Sequence, residues 1–151
     1  MMRTAVFPGS FDPITKGHED IVLRALPLFE KIYIAVGINS GKTNLFPLET
    51  RLTWIKNCFS RYPAVEVISY EGLTVNLCLE LNARYIIRGI RNSGDFRYEK
   101  DIACTNRQLE PGIETIFLAS SPQLSHISSS VIRDLYLNSG NYKQFMPDHI
   151  D

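Results

Sequence analysis

The sequence predicts an α/β fold: a doubly wound, mostly parallel sheet of five strands with helices on both faces. Five short runs of apolar and β-branched residues recur along the chain, at residues 4–7, 32–36, 65–68, 85–87 and 115–118. Segments with helical periodicity lie between them. Strands buried on both faces are nearly continuous in apolar residues, and their alternation with helices is typical of a Rossmann-like parallel sheet.

The helical segments follow in chain order. In the first, apolar residues at positions 21, 22, 25, 26 and 29 share one face, and we expect Pro27 to kink or shorten the helix. The next three are predicted around residues 52–59, 73–81 and 96–103. The fifth covers residues 131–137 and stops at Asn138-Ser139-Gly140, which is a strong C-terminal signal.

The composition indicates a single soluble domain over residues 1–151, with 44% hydrophobic and 21% charged residues. Sixteen basic residues balance sixteen acidic ones, which disfavours nucleic-acid binding by bulk charge. Cys58, Cys78 and Cys104 fall in apolar-periodic stretches and are interpreted as reduced core thiols. We find no signal-peptide pattern and no apolar run approaching the roughly 20 residues of a membrane span, so we expect a cytoplasmic protein.

In a doubly wound sheet, ligands bind beyond the carboxyl ends of the strands. The first such loop reads PGSFDPITKGH, residues 8–18. Gly9 and Gly17 let the backbone approach a ligand, and the following helix N-terminus favours phosphate. His18 can add a donor, or a positive charge if protonated. The alternative is that Thr15 simply caps the helix and His18 is a partly exposed polar residue.

The second loop, residues 37–43, looks like a phosphate-binding Walker A loop but is one residue too short. Three residues, rather than four, separate Gly37 from the Gly-Lys pair, and no helix is predicted directly after it. Lys42 remains a candidate phosphate contact. The alternative is a solvated loop lysine.

The third loop begins at Arg88, directly after a buried strand. Six basic and three acidic residues lie between positions 84 and 107, which makes a local positive excess in a neutral protein. Arg88 and Arg91 suit multidentate phosphate binding. The alternative is pairing with the carboxylates at positions 95, 99 and 101, which we expect to account for Arg97 and Lys100 better than for Arg88.

The fourth loop ends in the serine run at residues 128–130. One serine suffices to cap a helix, so three in a row suggest a second polyphosphate contact, with a serine-rich cap as the alternative. We find no nucleophile–base pair and no metal cage. The four loops therefore indicate phosphoryl or nucleotidyl transfer by positioning and charge stabilisation.

The loops also resemble a known family. Residues 8–18 resemble the Thr/His-x-Gly-His motif of the nucleotidylyltransferase superfamily, and residues 127–130 resemble its second signature. The middle stretch is similar to the bacterial phosphopantetheine adenylyltransferases in Arg88-Gly-Ile-Arg91, Asp95-Phe96, Tyr98-Glu99 and Asn106-Arg107. This similarity covers nearly the whole chain.

The resemblance implies transfer of the adenylyl group of ATP, with Mg²⁺, to 4′-phosphopantetheine, giving dephospho-coenzyme A and pyrophosphate. It makes His18 the group that stabilises charge on the α-phosphate, with Mg²⁺ carried mainly by the ATP phosphates rather than by protein ligands. Substrate binding is assigned to Ser10, Lys42, Thr74 and Arg88. ATP binding is assigned to Ser10, Phe11, His18, Gly89, Ile90, Arg91, Glu99, Leu124, Ser125, His126, Ile127, Ser128, Ser129 and Ser130.

The chain departs from the family pattern at a few positions. Thr74 stands where the family often has a larger apolar residue, and Leu124 and His126 replace aromatic residues. The resemblance also implies a homohexamer and coenzyme A as a possible feedback ligand. The alternatives are a related enzyme with another acceptor, such as glycerol phosphate, choline phosphate or nicotinate mononucleotide, and a catalytically silent nucleotide or coenzyme A sensor.

Overall fold

The computed structural model describes residues 2–151 and contains one sheet of five parallel strands in the order β3-β2-β1-β4-β5. The fold class and all five strands predicted from the sequence are therefore confirmed. The strands are β1 Thr4–Gly9, β2 Lys31–Gly37, β3 Val65–Tyr70, β4 Tyr85–Ile90 and β5 Glu114–Ala119.

Five α-helices connect or follow the strands. They are α1 Lys16–Ala25, α2 Leu48–Cys58, α3 Thr74–Glu80, α4 Ser93–Leu109 and α5 Ser129–Leu137. Short 3-10 turns cover Leu26–Leu28, Pro122–Leu124 and Lys143–Phe145. As predicted, Pro27 shortens the first helix, which ends at Ala25 and passes into the first 3-10 turn.

The central strand β1 separates two apolar clusters. Ala5 and Phe7 belong to the larger cluster, with α1 and parts of α2 and α5, whereas Val6 belongs to a smaller cluster with α3. All of these residues are buried, with 0% to 4% of their surface exposed. Alternate side chains of one strand thus enter opposite layers, as expected for a strand covered on both faces.

The strand order reverses between β1 and β4, and the two strands separate there. β1 pairs with β2 at six positions, from Thr4–Lys31 to Gly9–Val36, but with β4 only at Ala5–Tyr85 and Val6–Ile86. A crevice therefore opens between the carboxyl ends of β1 and β4, which is the usual ligand position in an open α/β sheet.

The sequence prediction needs correction at Cys104 and in the length of the fourth helix, which spans Ser93–Leu109 rather than 96–103. Cys104 is exposed rather than buried, because α4 buries only Glu99 and leaves most of its other side chains facing outward. The same exposure explains why apolar periodicity marked only the middle of this helix. Cys58 and Cys78 are buried as predicted, and burial raises the pKa of Cys78 to about 11, so this thiol stays protonated at neutral pH.

No helix within residues 2–151 combines the length and apolar character needed to cross a membrane.

Candidate active site

The crevice between β1 and β4 is a cavity of about 360 Å³. It is bounded by the loop after β1, the start of α1, the loop after β4 and the start of α5. Its polar lining includes Ser10, Asp12, Thr15, His18, Lys42, Arg88, Arg91, Asp95, Glu99, Ser128, Ser129, Ser130 and Arg133.

Thr15 and His18 form a reciprocal cap at the N-terminus of α1. The Thr15 hydroxyl accepts from the His18 backbone N–H at 3.1 Å, and His18 Nδ1 accepts from the Thr15 backbone N–H at 3.0 Å. The predicted cap at Thr15 is confirmed, with a histidine at the position where a capping box has Glu or Gln. Because Nδ1 accepts a hydrogen bond, the ring proton of neutral His18 lies on Nε2.

His18 is a neutral donor in this site rather than a cation. Burial, followed by the positive charges of Arg88 and Arg91, lowers the pKa of His18 to about 3 from an ordinary value of 6.5. The ring also contacts Phe11 edge-on, with 4.9 Å between centroids. Of the two sequence-based possibilities, a donor or a positive charge, the lowered pKa of the ligand-free protein favours the donor.

This pKa gives a testable prediction. In the ligand-free protein, the His18 ring signals in an NMR titration are expected to stay unchanged between pH 8 and about pH 5. Below about pH 6.5, the unfolded chain binds a proton that the folded protein accepts only near pH 3, so this histidine lowers the free energy of unfolding as pH falls through that range. Comparison with a His18→Gln variant assigns the signals. Titration of His18 near pH 6.5 would show the assigned environment to be wrong.

The loop after β1 adopts a strained shape at Phe11, whose φ is +46°. The ring of Phe11 fits against Gly9, where an added Cβ would lie 3.0 Å from Phe11 Cε2. Gly9 therefore lets the phenyl ring fold back under the loop, and Ser10 lies between the two at the cavity.

Substituting Gly9 tests this packing. Gly9→Ala is expected to lower the free energy of unfolding by about 1–3 kcal/mol because the buried Phe11 ring must move. Gly41→Ala is the matched control, since its added Cβ would meet Asn39 at an ordinary 3.5 Å. Chemical denaturation of the two variants provides the measurement. Equal effects of the two substitutions would rule out a special requirement at Gly9.

Lys42 and Ser10 meet at one end of the cavity. Lys42 Nζ donates to Ser10 Oγ at 2.9 Å, although the two residues lie 32 positions apart. As predicted, loop residues rather than a helix follow Lys42, and α2 begins only at Leu48. The structure thus brings into contact two residues that the family resemblance assigns to the same substrate.

Arg88 and Glu99 form the most complete ion pair in the site. Arg88 Nε and Nη2 donate to the two Glu99 oxygens at 3.0 and 2.6 Å, and Nη1 donates to the Pro8 carbonyl at 2.5 Å. Arg91 pairs similarly with Asp95 at 3.1 Å. The expectation that these carboxylates would account for Arg97 and Lys100 better than for Arg88 was wrong. One turn of α4 directs Asp95 and Glu99 toward the crevice.

The pair with Glu99 also orients Arg88. Arg88 lies within β4 and not directly after the strand, as the sequence had predicted, and the pair explains how a guanidinium can follow the buried Ile86 and Ile87. Of the five N–H donors of arginine, three are engaged, which leaves one on Nη1 and one on Nη2 for a ligand.

The serine run does more than cap α5. Ser128 caps the helix by accepting from the Val131 N–H at 3.2 Å, whereas Ser129 Oγ donates to the Pro13 carbonyl at 2.8 Å. Arg133 donates to Ser130 Oγ at 3.1 Å and to the Asp12 carbonyl at 2.9 Å. The run therefore fastens α5 to the loop after β1 on the opposite wall.

A second cavity of about 290 Å³ adjoins the first. The two share Pro8, Gly9, Ser10, Arg88 and Glu99 in their linings. The second cavity is lined in addition by α3 and α4. Thr74 lies here, within 2.9 Å of the Tyr70 hydroxyl. The site thus has two compartments that meet at Ser10 and Arg88.

Most of the predicted site residues line the first cavity, and Thr74 lines the second. Ile90, Leu124 and Ser125 line neither. His126 lines a separate apolar pocket beside α5, where its ring centroid lies 6.4 Å from that of Phe145. Its neighbour Ile127 reaches the main cavity.

Sequence reasoning missed the residues that hold the loops in place. Arg51 is 4% exposed and donates to the carbonyls of Ser10 and Phe46. Tyr70, the last residue of β3, lies two residues beyond the predicted strand 65–68 and was not singled out. Their signal was weak, because a buried arginine in an amphipathic helix reads as a solvated charge until the fold is known.

No group of three or more His, Cys, Asp or Glu side chains in the described part of the chain is arranged to hold a metal ion. Three carboxylates line the main cavity. Asp12 accepts two backbone N–H groups, Asp95 pairs with Arg91, and Glu99 pairs with Arg88. These residues do not fit a protein-held metal centre.

The fold and the site define a nucleotidyltransferase: an open parallel sheet whose switch-point crevice presents arginines, a lysine, a neutral histidine donor and a helix N-terminus. The sequence profile of the Cytidylyltransferase-like family matches residues 6–135.

Relatives at high identity narrow the assignment. A phosphopantetheine adenylyltransferase of Flavobacterium psychrophilum is 52% identical over 149 residues, covering 99% of this chain and 98% of the relative. That of Bacteroides thetaiotaomicron is 43% identical over 150 residues, with 99% of both chains covered. The chain belongs to the phosphopantetheine adenylyltransferase family, as its motifs had indicated.

Solved structures support the fold. A bifunctional NMN adenylyltransferase/ADP ribose pyrophosphatase from Francisella tularensis aligns with a TM-score of 0.74 at 19% identity, covering 99% of this chain. This chain spans only 46% of that longer protein. A lipopolysaccharide core biosynthesis protein from Thermoplasma volcanium aligns with a TM-score of 0.56 at 20% identity, covering 80% of this chain and 98% of that one.

Proposed function

We propose that this protein transfers the adenylyl group of ATP to 4′-phosphopantetheine, giving dephospho-coenzyme A and pyrophosphate, a step of coenzyme A biosynthesis. One observation carries the proposal: two connected cavities meet at Ser10 and Arg88, beside the Nε2–H of His18. The cavity at α5 takes ATP, and the cavity at α3 and α4 takes the pantetheine arm. The acceptor phosphate lies where the two compartments join.

The reaction requires no protein nucleophile. An ionised oxygen of the acceptor phosphate attacks the α-phosphorus of ATP, and the bond from this phosphorus to the bridging oxygen of the β-phosphate breaks. That oxygen leaves with pyrophosphate. Because the nucleophile is already an anion, no general base is needed, and the main obstacle is repulsion between two polyanions.

Each side chain in the crevice counters part of this repulsion. Lys42 and the two remaining donors of Arg88 hold the acceptor phosphate, with Ser10 between them. The Nε2–H of His18 donates to a non-bridging oxygen of the α-phosphate, where negative charge grows in the transition state. A neutral donor serves this purpose without first binding a proton.

The remaining assigned residues hold ATP. Arg91 and the serine run at the N-terminus of α5 lie on the wall that faces the nucleotide phosphates. The backbone of Phe11 lies opposite, and Glu99 acts through Arg88. The segments 89–91 and 124–130 complete the proposed nucleotide site, including Ile90, Leu124, Ser125 and His126, which lie outside the cavity lining.

Mg²⁺ enters as part of the MgATP substrate, where it neutralises part of the phosphate charge. Support comes from the pocket carboxylates, each of which already has a protein partner. We further propose that residues 1–151 act as one domain in a cytoplasmic homohexamer, with coenzyme A as a feedback ligand. Exposed apolar side chains on α3 and α4, such as Leu79 and Leu109, support an assembly that covers them.

An acceptor panel tests the function. The purified chain is incubated with ATP, Mg²⁺ and one acceptor at a time, and pyrophosphate release is measured. We expect release with 4′-phosphopantetheine and none with glycerol phosphate, choline phosphate or nicotinate mononucleotide. Turnover with one of those three acceptors alone would assign the chain to another acceptor. Nucleotide binding without any turnover would identify a sensor instead.

A further inference from the structure

We propose that Asp12 and Arg51 are positioning residues for the acceptor phosphate: together they fix the Lys42 loop, residues 38–47, against the loop after β1. The inference rests on the proposed function, because it concerns how Ser10 and Lys42 come to share one phosphate. Neither Asp12 nor Arg51 is itself assigned to a ligand.

Asp12 makes the first link between the two loops. Its carboxylate is 3% exposed and accepts from the backbone N–H groups of Leu45 and Phe46, both at 2.9 Å. Lys42 lies only three residues before Leu45. The carboxylate therefore fixes the loop just where it leads back toward α2.

Arg51 makes the second link from the first turn of α2. Its Nε donates to the Phe46 carbonyl at 2.9 Å, and its Nη1 donates to the Ser10 carbonyl at 2.7 Å. One planar guanidinium thus binds a carbonyl of each loop. Because its donors have a fixed geometry, it sets the distance between the two loops. Burial lowers the pKa of Arg51, and the nearby Asp12 carboxylate opposes that shift, so the guanidinium remains charged.

These links matter for Lys42 in particular. Lys42 is exposed, and its long side chain reaches Ser10 from a surface loop. Its 2.9 Å contact with Ser10 Oγ depends on where the backbone of the loop lies. A displacement of about 1 Å in such a contact can cost up to 10²-fold in rate.

The two sides of Asp12 serve different compartments. Its carboxylate faces the Lys42 loop, whereas its carbonyl accepts from Arg133 of α5 at 2.9 Å. Asp12→Asn alters the side-chain contacts with the Lys42 loop and keeps the backbone carbonyl that accepts from Arg133. The substitution should therefore separate the acceptor side of the site from the ATP side.

Steady-state kinetics of the full chain tests this inference. Asp12→Asn and Arg51→Lys are expected to raise KM for 4′-phosphopantetheine about tenfold, while KM for ATP changes less than about twofold. Arg51→Lys keeps the positive charge and loses only the planar guanidinium that bonds both carbonyls at once. Asp101→Asn and Arg61→Lys make the same chemical changes at exposed positions and serve as matched controls.

A double-mutant cycle measures the coupling between Asp12 and Lys42, which a purely structural role of Asp12 would not produce. If Asp12 acts through Lys42, Asp12→Asn in a Lys42→Ala background should change the acceptor KM by less than about twofold. Additive effects in this cycle would overturn the inference. An unchanged acceptor KM in both folded single variants would overturn it too, as would an equal rise in both KM values.

Failure of both variants to fold, seen by circular dichroism, would also overturn the inference, because the links would then support the whole fold rather than one subsite. If the wild-type chain forms no dephospho-coenzyme A, the proposed function fails instead. Calorimetric affinity for 4′-phosphopantetheine in the wild type and Asp12→Asn then decides the positioning role: about tenfold weaker binding supports it, and equal binding overturns it.

Discussion

Replacing His18 with alanine is expected to lower kcat by about 10²–10³-fold while the affinity for ATP falls less than about threefold. The reason is the fixed orientation of the ring. The Thr15 backbone N–H occupies Nδ1 at 3.0 Å, so Nε2–H points away from the helix as a donor for the charge that develops on the α-phosphate. A group used mainly in the transition state contributes to kcat more than to ground-state binding.

For His18→Ala, rapid-quench kinetics measures kcat and calorimetry measures the affinity for ATP. His126→Ala is the control, since His126 lies in the separate pocket beside α5 and only borders the proposed nucleotide segment. Because His126 belongs to that segment, we expect His126→Ala to weaken ATP binding slightly and to leave kcat nearly unchanged. If His18→Ala lost affinity and turnover by equal factors, His18 would be a binding residue only.

Replacing Arg88 with methionine is expected to remove most activity and also to destabilise the fold by about 3 kcal/mol. The Glu99 side chain is only 10% exposed and would keep its charge without the 2.6 Å partner. Activity falls separately, because the two free donors of Arg88 that face the acceptor phosphate disappear. We expect kcat/KM for 4′-phosphopantetheine to fall by about 10²–10³-fold.

The double variant Arg88→Met/Glu99→Gln separates these two effects. Removing the charge of Glu99 should restore most of the lost stability in urea denaturation, because no uncompensated buried charge remains. Activity should stay low, since the acceptor phosphate still lacks Arg88. Recovery of activity along with stability would mean that Arg88 supports the fold and does not bind the phosphate.

The fold could be predicted because its signals are local in sequence. The run Thr4–Phe7 is apolar at nearly every position, and it became the fully covered central strand. Pro27 marked the end of α1, and Asn138-Ser139-Gly140 marked the end of α5. The largest error in helix length was at α4, which spans 93–109 against a predicted 96–103, since a helix that buries a single residue has little apolar periodicity.

The site was predictable as a set of loops but not as a set of contacts. Parallel strand ends meet at one edge of the sheet, so the topology alone brought Ser10, Arg88 and the serine run together. Which partner each charge takes depends on distances across the fold. The pairing of Arg88 with Glu99 and the burial of Arg51 follow from packing between elements, which no sequence spacing encodes.

Isotope labelling of the acceptor phosphate tests direct adenylyl transfer most directly. The chain is supplied with MgATP and 4′-phosphopantetheine whose phosphate carries ¹⁸O, and the products are analysed by mass spectrometry. Because the acceptor phosphate attacks the α-phosphorus directly, all of the label should appear in dephospho-coenzyme A, and the pyrophosphate should carry none. Label in pyrophosphate, or no labelled dephospho-coenzyme A at all, would contradict direct adenylyl transfer in this crevice.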